Sequence, residues 1–216
     1  MTENTEILKN KLTEIREILL ELDCLKQDIH SIHNPEEEYF EKMIKKSRFF
    51  YRLYLNYTKL FVIDCHKLID KNEHFNILNL INFCQSNLNK ITWHNTPTHS
   101  SLEKLKTKFL KTSEHFSDIS LLRNKVFAHT DRKKSEIKYN ITLKDFWEIL
   151  TSLQEIFREI NVDFDNMNWQ FQILYEKPTS IKNSFKYLKI RDLYYDNFKS
   201  ESDKFTIEEV KKIIKS

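Results

Sequence analysis

Hydrophobic positions along the first part of the chain recur at steps of three and four residues, which is the spacing of one face of an α-helix. The pattern is unbroken between residues 5 and 32. A single long amphipathic helix is therefore predicted over residues 5–32. Its apolar face comprises Leu8, Leu12, Ile15, Leu19, Leu22, Leu25, Ile29 and Ile32.

A second long helix is predicted to follow almost directly. Asn34 has the side chain of an N-cap, Pro35 suits a first helical position, and the glutamates after it favour the positive end of a helix dipole. The apolar side of this segment continues regularly, so the helix is expected to end near residue 70. That side comprises Phe50, Tyr54, Tyr57, Phe61, Cys65 and Leu68.

Shorter helical patterns follow in the middle of the chain. One covers residues 74–88, and another is expected to start at Ser100, which opens a Ser-x-x-Glu sequence of the capping-box form. Ser117 or Asp118 is a candidate cap for the next segment. A last clear helix is predicted to start at Thr142, and its apolar face comprises Phe146, Ile149, Leu150, Leu153, Ile156 and Phe157.

Beyond residue 161 the periodicity weakens. Residues 168–175 alternate briefly and fit either a strand or a bent helix, and a terminal helix is expected to open at Thr206. No internal repeat and no low-complexity linker divides the chain. We therefore predict an all-α helical domain over residues 1–160 and an irregular C-terminal extension over residues 161–216.

The composition agrees with an all-α fold and excludes several classes of enzyme. The chain has no glycine and only three prolines, so the glycine-rich loops of P-loop NTPases, dinucleotide-binding folds, kinases and α/β-hydrolases are missing. Tight β-hairpin turns also rely on glycine, whereas a helical bundle does not need it. A length of 216 residues, of which 40% are hydrophobic, suffices for a sizeable core.

Other features indicate a cytoplasmic protein without a membrane span. No stretch approaches the roughly 18 consecutive apolar residues of a transmembrane helix, and the N-terminus lacks the apolar segment of a secretory signal. Cys24, Cys65 and Cys84 form no C-x-x-C pair, so each is expected to fill an apolar site. The net charge of +3 permits nucleic-acid binding without arguing for it.

No cluster of side chains has the spacing of a metal site, and we expect neither a metal nor a cofactor. Two histidine pairs lack further ligands at regular spacing, and one aspartate pair lacks the rest of a calcium loop. These pairs are His30 with His33, His94 with His99, and Asp163 with Asp165. Cys65 and His66 are adjacent and point to different faces of a helix, so they are not expected to form a nucleophile pair.

The stretch of residues 121–134, LLRNKVFAHTDRKK, holds the candidate chemistry of the chain. Arg123 is followed directly by Asn124 and, six positions on, by His129. Chance alone supplies about one pair of such spacing in this composition, and the plain interpretation is a surface arginine with a histidine at a helix end. The helical context favours a functional site over this plain interpretation, because Arg123 adjoins an apolar stripe that includes Leu122.

Residues 123–131, RNKVFAHTD, resemble the signature of the HEPN superfamily, which is an arginine, a polar residue, a short spacer and a histidine. Their form is similar to HEPN proteins of bacterial abortive-infection systems, which act against phage. The helical chain over about residues 5–160 is compatible with that fold. The resemblance implies a helical bundle that often forms a homodimer with two motifs facing one cleft. It also implies a metal-independent endoribonuclease of a phage-defence or toxin–antitoxin system.

Carried onto this sequence, the resemblance implies catalytic roles for three residues. His129 would move the proton of an RNA 2′-hydroxyl as it attacks the adjacent phosphate, Arg123 would hold that phosphate, and Asn124 would orient a neighbour. The side chains suit these roles, since imidazole titrates near neutral pH and guanidinium offers a charged planar fork to phosphate. Six positions of an α-helix place Arg123 and His129 about 120° apart and ~9 Å along the axis, so a complete site is expected to need two chains.

Candidate RNA-binding residues adjoin the motif: Lys125, Asp131, Arg132 and Lys133. The basic members would follow the RNA backbone, and Asp131 would pair with Arg132 or orient His129. HEPN proteins with a nucleotidyltransferase antitoxin often carry a tyrosine where this chain has Asp131, which puts that regulation in doubt. A second basic group is more typical of a solvated face; it comprises Lys104, Lys106, Lys108 and Lys111.

Two other functions fit the sequence. A HEPN-like domain without activity serves as an RNA-binding or regulatory module, and fold alone does not guarantee chemistry. An unrelated helical protein would instead use the apolar face of residues 8–32 to bind a partner. The expected partners are RNA, a second copy of the chain, and an antitoxin or another defence protein.

Overall fold

A computed structural model of the chain describes residues 2–127, 140–171 and 181–199. Within these residues the fold is helical and contains no strand, which confirms the all-α prediction. The α-helices are α1 (Glu3–His33), α2 (Glu38–Lys46), α3 (Arg48–Ile69), α4 (Ile77–Ser86), α5 (His99–Lys111), α6 (Phe116–Leu121), α7 (Leu143–Asp165) and α8 (Ile181–Lys199). Short 3-10 turns cover Leu88–Lys90 and Ser113–His115, and a π-helical segment covers Leu122–Phe127.

The chain divides into two compact units. Unit 1 comprises Met1–Lys26 and Leu55–Ile173, and unit 2 comprises Gln27–Tyr54 and Leu174–Ser216. Helices α1 and α3 each contribute residues to both units. The boundary expected at residue 160 lies within α7. None of the described helices is long and apolar enough to cross a membrane.

The core of unit 1 is built from the apolar faces of its longest helices. The predicted face of α7 is buried throughout, as are the six members of the α1 face that belong to this unit. The ring of Phe61 on α3 lies 5.5 Å from Phe146 and 5.2 Å from Trp147, both edge-on. Each fully buried side chain of this size stabilises the fold by roughly 1.5–3 kcal/mol. Helical periodicity therefore predicted these two faces correctly.

Capping residues set the starts of two helices in unit 1. Thr142 caps α7 and exchanges hydrogen bonds with Asp145, so α7 starts where the sequence predicts. The capping box of α5 is formed by Thr98 and Ser101, and the box predicted at Ser100 is wrong. Thr98 has the extended backbone that an N-cap requires, with φ −92° and ψ 157°, which places Ser100 inside the first turn.

The second long helix predicted to run from Pro35 to about residue 70 is interrupted. The N–H of Asn34 still bonds to the carbonyl of His30 at 2.8 Å, so it continues the end of α1, and α2 begins only at Glu38. Ser47 then has an extended backbone, with φ −109° and ψ 116°, and separates α2 from α3.

Ring packing inside unit 2 explains the interruption at Ser47. The rings of Phe40 and Phe50 lie 5.1 Å and 5.3 Å from the ring of Phe185. In one straight helix, residues ten positions apart would be separated by about 15 Å along the axis. The break allows both rings to contact the same partner.

The C-terminal part was expected to be irregular, but residues 181–199 form α8. Among residues 181–193 of this helix, only Ile181 and Phe185 are buried, which leaves a weak hydrophobic pattern there. Ion pairs join α8 to the first part of unit 2: Lys182 with Glu36 at 2.8 Å and Lys189 with Glu37 at 2.6 Å. Residues 166–170 have no regular structure. The helix expected at Thr206 lies outside the described residues.

Candidate active site

Arg123 lies in the π-helical segment Leu122–Phe127, which directly continues α6. Ile119 and Leu122 are buried, with 0% and 3% of their surfaces exposed. At the start of α6, the ring of Phe116 packs 5.2 Å from that of Phe109 on α5. These apolar contacts hold the start of the motif against the core of unit 1.

The cap predicted for this segment is absent. Helix α6 begins at Phe116, and its N-cap residue, His115, makes no capping hydrogen bond through its side chain. The carboxylate of Asp118 accepts the backbone N–H of Asn140 at 3.4 Å instead. Asp118 therefore connects α6 to the residues that precede α7.

The π-helical backbone changes the geometry that the sequence predicts for the motif. Its hydrogen bonds run from residue i to i+5, so each turn holds more residues than a turn of α-helix. The separation of about 120° between Arg123 and His129 assumed an α-helix, and it does not hold through Leu122–Phe127. Such π turns occur frequently at functional sites.

The guanidinium of Arg123 is half-buried and has a neutral partner. Its Nη1 donates a hydrogen bond to Oδ1 of Asn124 at 2.7 Å. No carboxylate of the described residues forms an ion pair with it. A guanidinium has five N–H donors, so this arrangement orients Arg123 while leaving its charge and most of its donors for a ligand.

The structure describes the first part of the predicted site and not the rest. Arg123, Asn124 and Lys125 are consecutive, and the side chains of Asn124 and Lys125 are exposed. Outside the described residues lie His129, Asp131, Arg132 and Lys133.

A buried histidine close to Arg123 was not assigned to the site from the sequence. His66 on α3 is 3% exposed. Its Nε2 lies 3.1 Å from Oδ2 of Asp70, and its Nδ1 lies 4.0 Å from Oε1 of Glu73. Neither ring nitrogen makes a hydrogen bond of acceptable geometry. The distance to Asp70 is short enough for such a bond, but the direction is not.

Electrostatics link His66 to the motif. Burial lowers the pKa of His66, the carboxylate of Asp70 raises it, the charge of Arg123 lowers it, and Glu73 raises it again. The net shift is downward, so the imidazole is neutral at neutral pH. The sequence signal for this group was its spacing: Asp70 and Glu73 follow His66 by four and seven positions, directly after α3 ends at Ile69.

The cysteine beside His66 takes no part in this group. Cys65 is fully buried, and burial raises the pKa of its thiol to about 12. Burial raises the pKa of Cys84 to about 12 as well. Thiols with such values are poor nucleophiles at neutral pH. Both cysteines fill apolar sites, as the sequence predicts.

Other candidate groups are accounted for by local contacts. Lys108 of the second basic group lies 2.8 Å from Glu155 and 3.4 Å from Glu159, which neutralise its charge. The ring of His33 stacks on Tyr54 at 5.9 Å. Across the described ranges, no group of three or more histidine, cysteine, aspartate or glutamate side chains is placed to hold a metal ion.

Comparison with known families decides where this chain belongs. The model of the family HEPN_AbiU2, described as AbiU2, matches residues 7–184. The chain belongs to the AbiU2 family of HEPN proteins. This is a HEPN-type abortive-infection family, so the superfamily recognised from residues 123–131 is confirmed. No curated protein and no solved structure shows a significant match to this AbiU2-family chain.

The AbiU2 match extends well beyond the motif. It begins within α1 and ends within α8, so it includes Arg123, His66 and the sequence position of His129. It also crosses residue 160, where the sequence suggested a boundary.

Proposed function

We propose that this AbiU2-family protein is a metal-independent endoribonuclease of an abortive-infection or toxin–antitoxin system. The observation that carries the proposal is the contact between Arg123 and Asn124. A carboxylate partner would neutralise the guanidinium, whereas the amide oxygen at 2.7 Å orients it and leaves its positive charge. Such a group forms strong, charge-assisted hydrogen bonds with a phosphate.

The reaction is an attack of the RNA 2′-hydroxyl on the adjacent phosphate. His129 takes the proton of the 2′-hydroxyl, and the oxygen forms a bond to phosphorus. The bond from phosphorus to the 5′-oxygen breaks, and that oxygen takes a proton from water or from protonated His129. The products are a 2′,3′-cyclic phosphate and a 5′-hydroxyl end. Arg123 stabilises the negative charge that develops on the phosphate, and Asn124 positions Arg123.

Lys125 and the basic residues after the motif would hold the RNA backbone. Lys125 is exposed beside Arg123, which is where a phosphate next to the scissile one would lie. Arg132 and Lys133 would extend this contact along the strand, and Asp131 would orient His129 or pair with Arg132. Such contacts make RNA affinity depend on salt concentration.

The test is cleavage of RNA in the presence of EDTA. Cleavage should persist, and fragments should carry 2′,3′-cyclic phosphate ends. His129→Ala should lower the rate about 10²–10⁴-fold, the usual range for loss of a general acid–base. His94→Ala is a matched control, because His94 is an exposed histidine of unit 1. Full activity of His129→Ala, or loss of activity with chelator alone, would contradict the proposal. RNA binding without cleavage would favour the inactive binding module.

We further propose that two copies of the chain form the site. The HEPN resemblance supports a homodimer, whereas the angular argument for an α-helix does not carry over to the π-helical segment. Mixing Arg123→Ala with His129→Ala chains tests this. If each site takes its arginine from one chain and its histidine from the other, some heterodimers regain one intact site and partial activity. A mixture without activity, or a fully active monomer in light scattering, contradicts the shared site.

A further inference from the structure

Unit 2 contains a stretch in which basic and aromatic residues alternate closely. Residues 45–54 read KKSRFFYRLY, which is four cationic and four aromatic side chains in ten positions. The stretch includes the end of α2, the break at Ser47 and the first turns of α3. Surfaces that bind single-stranded nucleic acid combine cations for the backbone with aromatic rings on which bases stack.

Six residues of this stretch line a cavity of about 750 Å³: Lys45, Lys46, Ser47, Arg48, Tyr51 and Tyr54. The end of α1, the turn at Asn34 and Pro35, α2 and the start of α3 line it, and it is open to solvent. Its volume lies within the roughly 300–1,000 Å³ of sites that take small organic ligands. A single nucleotide is a ligand of this size.

Two tyrosines form an aromatic wall of the cavity. Tyr51 and Tyr54 are three positions apart on α3 and therefore lie on the same side of the helix. Tyr54 is stacked on His33 with an angle of 20° between the rings. Tyr51 is 63% exposed and contacts no other ring in the described part of the chain. One aromatic group is thus held in place, and the other is largely exposed to solvent.

The cavity also carries an excess of positive charge. Lys45 pairs with Glu41, and the hydrogen bond from Lys45 lowers the pKa of that carboxyl, so the two charges offset each other. Lys46 and Arg48 also line the cavity, and neither has an ion-pair partner among residues 2–127, 140–171 and 181–199.

The position of Arg48 is unfavourable for the helix that carries it. Arg48 begins α3, whose first turn contains no acidic residue. A cation at a helix N-terminus opposes the helix dipole, which favours anions there. A residue that breaks a local rule in this way is typical of a functional position. A bound phosphate would satisfy both the arginine and the helix N-terminus.

We propose that this cavity binds one nucleotide of single-stranded RNA, with the base stacked on the wall of Tyr51 and Tyr54 and the phosphate held by Lys46 and Arg48. The inference rests on the proposed function, to which it adds a substrate class: unpaired rather than duplex RNA. It uses residues separate from the motif that begins at Arg123. A free mononucleotide presents the same chemistry, and the experiment distinguishes the two sources.

Fluorescence anisotropy with a labelled twelve-nucleotide oligoadenylate tests the proposal. The protein carries His129→Ala and the buffer contains EDTA, so binding is read without cleavage. Tyr51→Ala should weaken binding roughly 5- to 100-fold, as the loss of one stacked base predicts, and Tyr51→Phe should retain it. Arg48→Ala should weaken binding and lower the slope of log affinity against log salt concentration by about 0.7.

Two control variants lie beside the cavity without lining it. Phe49→Ala removes a neighbouring ring that is 65% exposed, and Lys42→Ala removes an exposed lysine that pairs with Glu38. Both should bind the oligonucleotide as the parent chain does. Equal losses in the controls and in the variants at Tyr51 and Arg48 would overturn the proposal. So would unchanged binding in the latter two, or equal affinity for the duplex form of the same sequence.

A competition arm with AMP separates the two sources of a nucleotide. Displacement only at millimolar AMP supports a strand as the ligand. Micromolar AMP binding that Tyr51→Ala abolishes identifies a free nucleotide and overturns the assignment to RNA.

Because cleavage is not read here, a parent chain that binds but never cuts RNA contradicts the proposed nuclease alone. A parent chain that cuts RNA, with binding insensitive to Tyr51 and Arg48, contradicts the cavity alone.

Discussion

Arg123 donates a hydrogen bond to the side-chain oxygen of its own sequence neighbour, Asn124, at 2.7 Å. Adjacent residues of a regular α-helix point in directions about 100° apart. Both residues belong to the π-helical segment Leu122–Phe127. The contact gives the motif a local means of fixing its arginine without a second element of the fold.

Replacement of Asn124 should separate orientation from charge. Asn124→Asp puts a carboxylate against the guanidinium, which competes with the RNA phosphate for Arg123. It should lower kcat/KM for RNA about 10- to 100-fold, the range for losing a hydrogen bond to a charged group. Asn124→Ala removes the orienting oxygen and keeps the charge of Arg123, so its loss should be smaller. Steady-state kinetics at several salt concentrations measure both. Equal activity of the two variants would show that the neutrality of the partner is irrelevant.

His66 should make the stability of the protein depend on pH. Burial lowers its pKa below the usual value of 6.5, so the unfolded chain binds the proton more tightly than the folded one. Its contribution to stability is therefore complete above about pH 6.5 and is lost as the pH falls through the lower, folded value. Asp70, Glu73 and Arg123 are the charged groups that act on it.

Urea unfolding between pH 7.5 and pH 5 measures this dependence. The parent chain should lose stability over that interval more steeply than His66→Gln, which cannot take up the proton. Substitution of the exposed His94 by glutamine should leave the steeper dependence in place. Parallel curves for the parent chain and His66→Gln would rule out His66 as the source.

The two candidate caps of α5 should differ in their effect on stability. Thr98 accepts the N–H of Ser101 at 3.0 Å, so Thr98→Ala should cost about 1 kcal/mol of unfolding free energy. Ser100 makes no capping bond, and Ser100→Ala should remain within about 0.5 kcal/mol of the parent chain. Chemical denaturation of both variants compares them directly. A larger loss of unfolding free energy for Ser100→Ala than for Thr98→Ala would show that Ser100 is the cap, as the sequence suggests.

Phe185 should be essential for unit 2. Its ring contacts Phe40 and Phe50 and is 3% exposed, so Phe185→Ala should destabilise the unit by about 3–5 kcal/mol. Tyr187→Ala, two positions along the same helix, removes a ring that is 60% exposed and should have little effect. Limited proteolysis within residues 27–54 reports on the unit. Equal protection of both variants would contradict the packing.

Long helices with one apolar face could be predicted from the sequence, because the side chains buried on such a face recur with the period of the helix. This holds for α1 and α7. The break at Ser47 and the presence of α8 could not, because both depend on contacts with residues far along the chain, such as Phe185 against Phe40. Helix α8 is joined to its unit by the ring contacts of Phe185 and by ion pairs of Lys182 and Lys189, and helical periodicity indicates neither kind of contact.

For the candidate site, the sequence motif and the family carried the prediction. The nine residues that start at Arg123 have a recognisable form, and the family match agrees with them. The π-helical backbone has no comparable sequence pattern. It differs from an α-helix in its backbone hydrogen bonds, which join residues five positions apart and not four. His66 was missed because its relation to Arg123 depends on how α3 packs in unit 1, which no spacing within α3 reveals.

The two parts of unit 2 lie far apart in the sequence, which has a consequence for synthesis on the ribosome. Tyr39 donates a hydrogen bond to Asp192, which lies 153 positions further along the chain, and the Phe40 and Phe50 rings contact Phe185 only after α8 has emerged. The segments of unit 1 are translated earlier, and domains generally fold in the order of their appearance. The aromatic rings of residues 40–50 in a nascent chain therefore stay uncovered through most of its translation. If a ribosome stalls before α8, those rings remain exposed, and the chain is open to aggregation and proteolysis.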